Sequence, residues 1–75
     1  MKTVELIGWA GVACVIGAYI LLTFEYTAAN DLIYIGLNVL GAIGLIISSF
    51  SKRDMQPVAL NSIWLVIALI ALIRL

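Results

Sequence analysis

Three long apolar segments alternate with two short polar ones along the chain. The apolar segments cover residues 6–24, 32–50 and 58–73. The first two contain about nineteen residues each, which extend about 28 Å as helix, close to the ~30 Å hydrocarbon core of a bilayer. Strands are excluded because three of them leave sheet edges that lipid cannot hydrogen-bond. The pattern predicts three transmembrane helices, with spans at about 5–25, 31–51 and 56–74.

The composition agrees with a protein embedded in lipid. The 75-residue chain is 65% hydrophobic and 11% charged, with a mean hydropathy of +1.24. A soluble protein of this length needs polar side chains over most of its surface, and they are missing here. We therefore expect an all-α integral membrane protein, a single domain over residues 1–75, with membrane lipid as its main surroundings.

The polar segments contain residues typical of helix starts. Asn30 and Asp31 precede the second apolar segment, and Asp54 precedes the third, which has Pro57 in its first turn. Asparagine and aspartate favour helix N-termini, and proline loses no intrahelical hydrogen bond in a first turn. These residues support separate helices on either side of each connection.

A cleaved signal peptide is the competing interpretation of the first span. Thr27-Ala28-Ala29 resembles a small-residue cleavage site. The apolar segment is longer than a signal-peptide core, however, and Glu5 stands where a basic leader is expected. We expect the first span to be retained.

The basic residues predict an orientation. Three spans place the N-terminus and the second connection on one side, which holds Lys2, Lys52 and Arg53, whereas the other side holds Arg74. Basic residues accumulate on the cytoplasmic side of membrane proteins. The charge count therefore predicts a cytoplasmic N-terminus and an external C-terminus.

Several function classes lack the side chains that they need. The central parts of the spans contain no Asp, Glu, Lys or Arg, and the sequence has no histidine. Ion-coupled exchangers need an ionisable group within the membrane, and ion channels need a ring of charged side chains or a filter of backbone carbonyls. Enzymes that use nucleophilic catalysis need a nucleophile beside a base. A single cysteine, without histidine, provides too few ligands for a metal site. A net charge of zero gives no sign of the basic surface that nucleic-acid binding requires. We expect no catalytic residue, no metal and no cofactor.

Small and polar residues recur at helical spacing on each span. Residues three and four apart share one face of a helix, and small residues allow helices to approach closely in membranes. We therefore expect the following faces to form the helix contacts: Ala10, Cys14, Gly17 and Leu21 on the first span; Tyr34, Asn38, Gly41, Leu45 and Ser48 on the second; Asn61, Trp64, Ala68 and Ala71 on the third.

Two roles are open for Asn38 and Asn61. In the first, each amide simply bonds to a neighbouring helix, an interaction typically worth about 0.6–2 kcal/mol in a membrane. Alternatively, both face a shared polar cavity, where an amide can donate to and accept from a solute. Trp64 lies one turn from Asn61 and offers a flat apolar surface to such a solute.

Three motifs extend over nearly the full chain. They are Ile7-Gly8-Trp9; Tyr34 with Asn38, Gly41, Ala42, Gly44 and Leu45; and Lys52-Arg53-Asp54 with Pro57, Asn61 and Trp64. With these motifs the chain resembles a group of small, uncharacterised three-helix proteins of the bacterial inner membrane. The resemblance implies that location, and it brings no established activity.

A more distant resemblance rests on the start of the third span, where Asp54 and Pro57 are followed by Asn61. Here the chain is similar to the SemiSWEET sugar transporters of the PQ-loop superfamily, three-helix subunits that pair around a sugar site. The resemblance implies that Asn61 lines the site, and it implies an external N-terminus, opposite to the charge count. The family's tryptophan position holds Leu45 here, and the first span lacks the family's Pro-Gln pair.

These observations favour transport of an uncharged molecule. Three packed helices leave no room for a solute, so a pathway requires a second subunit. We expect a SemiSWEET-like three-helix bundle that forms a homodimer and acts as an uncoupled facilitator for a small neutral, sugar-like solute. The expected substrate-binding residues are Asn61, Trp64, Asn38 and Tyr34. The alternative is a non-transporting accessory or scaffold subunit that docks onto another membrane protein.

Overall fold

The computed structural model describes residues 2–75, which form three α-helices. They are α1 (Thr3–Thr23), α2 (Leu32–Ser51) and α3 (Met55–Ile73). Each helix is long and apolar enough to cross a membrane. The prediction of an all-α protein with three helices of membrane-spanning length and composition is therefore confirmed. The first helix begins and ends two residues before the predicted span, because its end is set by the backbone turn at Glu25.

The central helix α2 lies between the other two. No Cα of α1 comes within 8 Å of a Cα of α3, whereas both helices lie along α2. The molecule measures 33 × 23 × 16 Å, so it is about one helix length tall and thin in one direction. The three helices thus form an antiparallel row with α2 in the middle, more open than the expected bundle.

Glycines bring the backbones of α1 and α2 into direct contact. A Cβ built on Gly11 would lie 2.8 Å from the carbonyl oxygen of Gly41. A Cβ built on Gly44 would lie 2.9 Å from the carbonyl oxygen of Ile7. Both distances are too short for a real Cβ atom, so only glycine fits at these positions. This is the close packing that small residues provide between membrane helices.

The face that α1 presents to α2 differs from the predicted one. Ala10 is exposed, and a Cβ on Gly17 would meet no atom within 4 Å. The observed face is shifted around the helix, because backbone contact is closest where glycine stands on both helices. It consists of Gly8, Gly11, Val15 and Ala18. The prediction of the α1 contact face was therefore wrong, whereas Asn38, Gly41 and Ser48 of the α2 face are buried as expected.

Helix α1 ends in a left-handed turn. Glu25 has a φ of 63°, and its N–H donates to the carbonyl oxygen of Leu22 at 3.1 Å. The N–H of Tyr26 donates to the carbonyl oxygen of Leu21 at 2.9 Å. These two bonds satisfy carbonyls that the helix end would otherwise leave unpaired, in the arrangement of a Schellman motif.

Helix α2 ends in the same way. Arg53 has a φ of 58° and donates its N–H to the carbonyl oxygen of Phe50 at 3.0 Å. The N–H of Asp54 donates to the carbonyl oxygen of Ser49 at 2.9 Å. Both connections can therefore be short, because the left-handed residue reverses the chain direction within one turn.

Asp31 organises the first connection. Its Oδ2 accepts hydrogen bonds from the N–H of Ala28 at 2.9 Å and from the Oγ1 hydroxyl of Thr27 at 2.8 Å. Both hydrogen bonds lower the pKa of the Asp31 carboxyl below its usual value of 3.8, and the bond from the Ala28 N–H has the larger effect. Asp31 and Asp54 occupy the N-cap positions of α2 and α3, as expected, but neither side chain caps its own helix.

Candidate functional site

A groove of about 260 Å³ lies between α2 and α3. It is close to the end of the molecule that carries the first connection. Its walls come from both helices and from one residue of the connection. The lining residues are Ala29, Tyr34, Ile35, Asn38, Trp64, Ile67, Ala68 and Ala71. The structure thus brings together three of the four residues that the sequence singled out: Tyr34, Asn38 and Trp64.

Asn38 is the polar centre of the groove. It is 5% exposed, and its Nδ2 donates to the carbonyl oxygen of Tyr34 at 2.8 Å. Its Oδ1 accepts a hydrogen bond of 3.2 Å from the indole Nε1 of Trp64. An amide has two N–H donors and two oxygen lone pairs. These bonds therefore fix the orientation of the amide and leave one donor and one lone pair for a further partner.

Trp64 and Tyr34 supply aromatic surface beside this amide. Trp64 is 47% exposed, so the groove is open on the side of its indole ring, and Tyr34 is half-buried. None of the lining residues carries a carboxylate or a basic group. The groove therefore combines flat apolar walls with one oriented amide, a pairing that suits an uncharged molecule with both hydroxyl and CH surfaces.

Asn61 lies apart from the groove. Its Nδ2 donates to the carbonyl oxygen of Pro57 at 2.8 Å, within α3, and the residue is not part of the groove lining. It is nearly one turn before Trp64, toward the second connection. Since Ser, Thr and Asn side chains often bond back to the preceding turn, this contact orients the Asn61 amide without joining two helices.

Sequence patterns missed part of the groove. Ile35 directly follows Tyr34, and Ile67 directly precedes Ala68. A wider apolar stripe on each helix would therefore have included both isoleucines. Ala29 belongs to the connection, where no helical period applies. Its place in the lining follows only from the path of the chain after α1.

Three helices that are long and apolar enough to cross a membrane are compatible with a multi-pass membrane protein, and the groove with its single buried amide lies between two of them. The chain belongs to a protein family of uncharacterised function, whose family model matches residues 4–75. This agrees with the expected kinship to small three-helix membrane proteins. Comparison with curated proteins and with solved structures gave no significant match.

Proposed function

We propose that the protein is an uncoupled facilitator for a small neutral polar solute, and that two copies form the pathway. The observation that carries the proposal is the oriented, partly unsatisfied amide of Asn38 beside Trp64 in a groove without charged groups. A solute hydroxyl can pair with the remaining N–H or lone pair of this amide. The indole ring then packs against a CH face of the solute.

The uncharged lining supports a neutral substrate and uncoupled movement. An ion or proton that drives transport needs an ionisable group at membrane depth. Neither the groove lining nor the middle of any helix provides a carboxylate or a basic group. The solute in this proposal therefore moves down its own gradient.

The shape of the groove supports the proposed homodimer. Ligand cavities for small molecules usually measure about 300–1,000 Å³ and enclose most of the ligand. The groove here is about 260 Å³ and is open beside Trp64. A second copy related by a two-fold axis would oppose an identical groove to it and close the site. We further propose that the protein is related to the SemiSWEET transporters, which also form dimers of three-helix subunits.

Asn61 has a secondary role in this scheme. It lies on α3 between the groove and the second connection, and its amide oxygen is free of hydrogen bonds within residues 2–75. We assign to it a contact with the solute on the way to or from the groove, while Asn38 and Trp64 hold the solute at its central position.

A non-transporting accessory subunit is the second candidate. It is favoured by the hydrogen bonds of the two asparagines, each of which already pairs within the chain. In that role the bond from Trp64 to Asn38 only fixes α3 against α2. Helices α1 and α3 would then dock onto a larger membrane protein.

Efflux of labelled solutes from proteoliposomes tests the proposal. The panel contains hexoses, pentoses, polyols and neutral amino acids. Asn38→Leu and Asn61→Leu form a matched pair, because each replaces one half-buried or buried asparagine by the same apolar side chain. We expect the original protein to carry one class of solute. Asn38→Leu removes a buried hydrogen-bonding group, so its flux should fall about tenfold. The flux of Asn61→Leu should fall less.

The oligomeric state and tryptophan fluorescence of both variants report whether the fold is retained. Loss of flux in a dimeric, folded Asn38→Leu protein supports the facilitator. Absence of flux for every solute, from an original protein that is folded and dimeric, contradicts it. A partner that co-purifies in equal amounts would then favour the accessory subunit.

A further inference from the structure

A second crevice, of about 220 Å³, lies between α1 and α2 at the opposite end of the molecule. It is next to the second connection, where α1 begins and α2 ends. Its lining combines charged, hydroxyl and apolar side chains: Glu5, Gly8, Trp9, Val12, Leu45, Ser48, Ser49 and Lys52. The proposed solute pathway does not use it.

Two opposite charges face this crevice without neutralising each other. Glu5 is half-buried and Lys52 is exposed, and both line the crevice. Within residues 2–75 no ion pair of 4.0 Å or less joins their carboxylate and ammonium groups. Separated opposite charges are the complement of a ligand that itself carries both charges.

Ser48 adds a polar group that has no hydrogen-bond partner among residues 2–75. The residue is 6% exposed, and its hydroxyl makes no hydrogen bond to any other residue of the described chain. No fully enclosed polar side-chain atom of residues 2–75 is unpaired. The Ser48 oxygen must therefore keep some access to the surface, and the crevice that it lines provides this access. A nearly buried hydroxyl in this position calls for a partner.

Gly8 makes room for the Ser48 side chain in this part of the crevice. A Cβ built on Gly8 would lie 2.5 Å from the Ser48 Oγ. The hydroxyl therefore packs directly against the glycine, and a larger residue at position 8 would clash with it. Both residues line the crevice together with the two charged side chains.

The remaining lining indicates that the ligand also has an apolar part. Trp9 is exposed, as is usual for tryptophan at the boundary between lipid and water. Val12 and Leu45 continue the crevice from the charged end toward the middle of the helices. A ligand with a zwitterionic head and hydrocarbon chains matches this order of side chains.

We propose that this crevice binds a phospholipid whose zwitterionic headgroup carries a primary ammonium. The ammonium donates hydrogen bonds to the Glu5 carboxylate, and the phosphate accepts them from Lys52 and the serine hydroxyls. The acyl chains lie along Val12 and Leu45. A choline headgroup is disfavoured because its quaternary ammonium has no N–H to donate to Glu5.

Lipid retention measured by native mass spectrometry tests the assignment. The full protein is purified from liposomes with equal amounts of phosphatidylethanolamine, phosphatidylcholine and phosphatidylglycerol. We expect about tenfold enrichment of phosphatidylethanolamine over phosphatidylcholine, because one charge-assisted hydrogen bond separates the two. Equal retention of the two lipids overturns the proposal.

Charge-matched variants locate the site. Glu5→Gln removes the ammonium partner and is expected to abolish the enrichment, whereas Asp54→Asn removes a carboxylate at the same end outside the crevice and leaves the enrichment unchanged. Lys52→Gln is expected to reduce retention of phosphatidylethanolamine, with Lys2→Gln as its control. Enrichment that persists in Glu5→Gln, or that is lost equally in Asp54→Asn, contradicts the site.

Glycerophosphoethanolamine, the headgroup without acyl chains, distinguishes a lipid from a soluble zwitterion. We expect millimolar concentrations of it to leave the bound phospholipid in place, because the chains supply much of the binding energy. Displacement by this soluble compound would overturn the lipid assignment in favour of a soluble zwitterionic ligand. All these measurements are independent of solute flux, so their outcome does not depend on the proposed transport.

Discussion

The indole N–H of Trp64 donates a 3.2 Å hydrogen bond to the side-chain oxygen of Asn38, across the contact between α2 and α3. In the part of the chain from 2 to 75, it is the only side-chain hydrogen bond that joins two helices. Packing between membrane helices has little hydrophobic driving force, since lipid is as apolar as the helix surface. This bond therefore fixes how α3 is placed along α2.

Trp64→Phe should weaken the contact between α2 and α3. The variant keeps an aromatic ring but loses the N–H, and interhelical hydrogen bonds in membranes contribute about 0.6–1.7 kcal/mol. The free energy of unfolding in micelles measures the loss. Trp9→Phe is the matched control, because Trp9 is exposed on α1 and makes no hydrogen bond to another residue of 2–75. Equal losses in the two variants would contradict the assigned role of the bond.

Alanine substitutions on α1 should have opposite effects at two glycines. Gly11→Ala places a Cβ against the backbone of α2 and should destabilise the protein by about 1–3 kcal/mol, the usual cost of overpacking. Gly17→Ala meets no atom within 4 Å and should stabilise α1 by up to about 1 kcal/mol. Thermal unfolding of the two proteins measures both. A neutral Gly11→Ala would rule out the backbone contact.

Arg53→Gly should stabilise the second connection. Arg53 has a φ of 58°, a conformation that costs an L-residue roughly 1–2 kcal/mol and glycine almost nothing. Lys52→Gly is the control, because Lys52 has a φ of −87° and gains nothing from glycine. Both variants lose one positive charge, so in lipid-free micelles the loss of charge does not account for a difference in their denaturation midpoints. Glu25→Gly should stabilise the first connection for the same reason.

The first connection should lose its order only in acid. The hydrogen bonds to Asp31 lower the pKa of its carboxyl, so their contribution to stability is present above the unfolded value near 3.8 and is lost as the pH falls through the lower folded value. An NMR titration of the Asp31 carboxyl carbon should give a midpoint below 3.8. Thr27→Val should move that midpoint upward, by removing one donor. A midpoint unchanged in Thr27→Val would show that the hydroxyl does not stabilise the carboxylate.

Much of the groove was predictable from residue spacing. Asn38 and Tyr34 share one face of α2, and Trp64, Ala68 and Ala71 share one face of α3, whatever the helices pack against. Short connections make neighbouring helices antiparallel, and the small and polar residues on these two faces favour a contact between them. The groove confirms that Asn38 and Trp64 lie together. Spacing did not predict that Asn61 stays outside it, since that depends on where α3 crosses α2.

The sequence by itself determined the number of helices, their approximate ends and which side chains share a face. Hydrophobic length and the polar connections decide these features, and both are local properties of the chain. The tertiary structure alone decided which face of α1 meets α2, and that α1 and α3 stay apart. Rotation of a helix about its axis is set by atoms on its neighbour, here the backbone at Gly41 and Gly44 against Gly11, and no period within one helix contains that information.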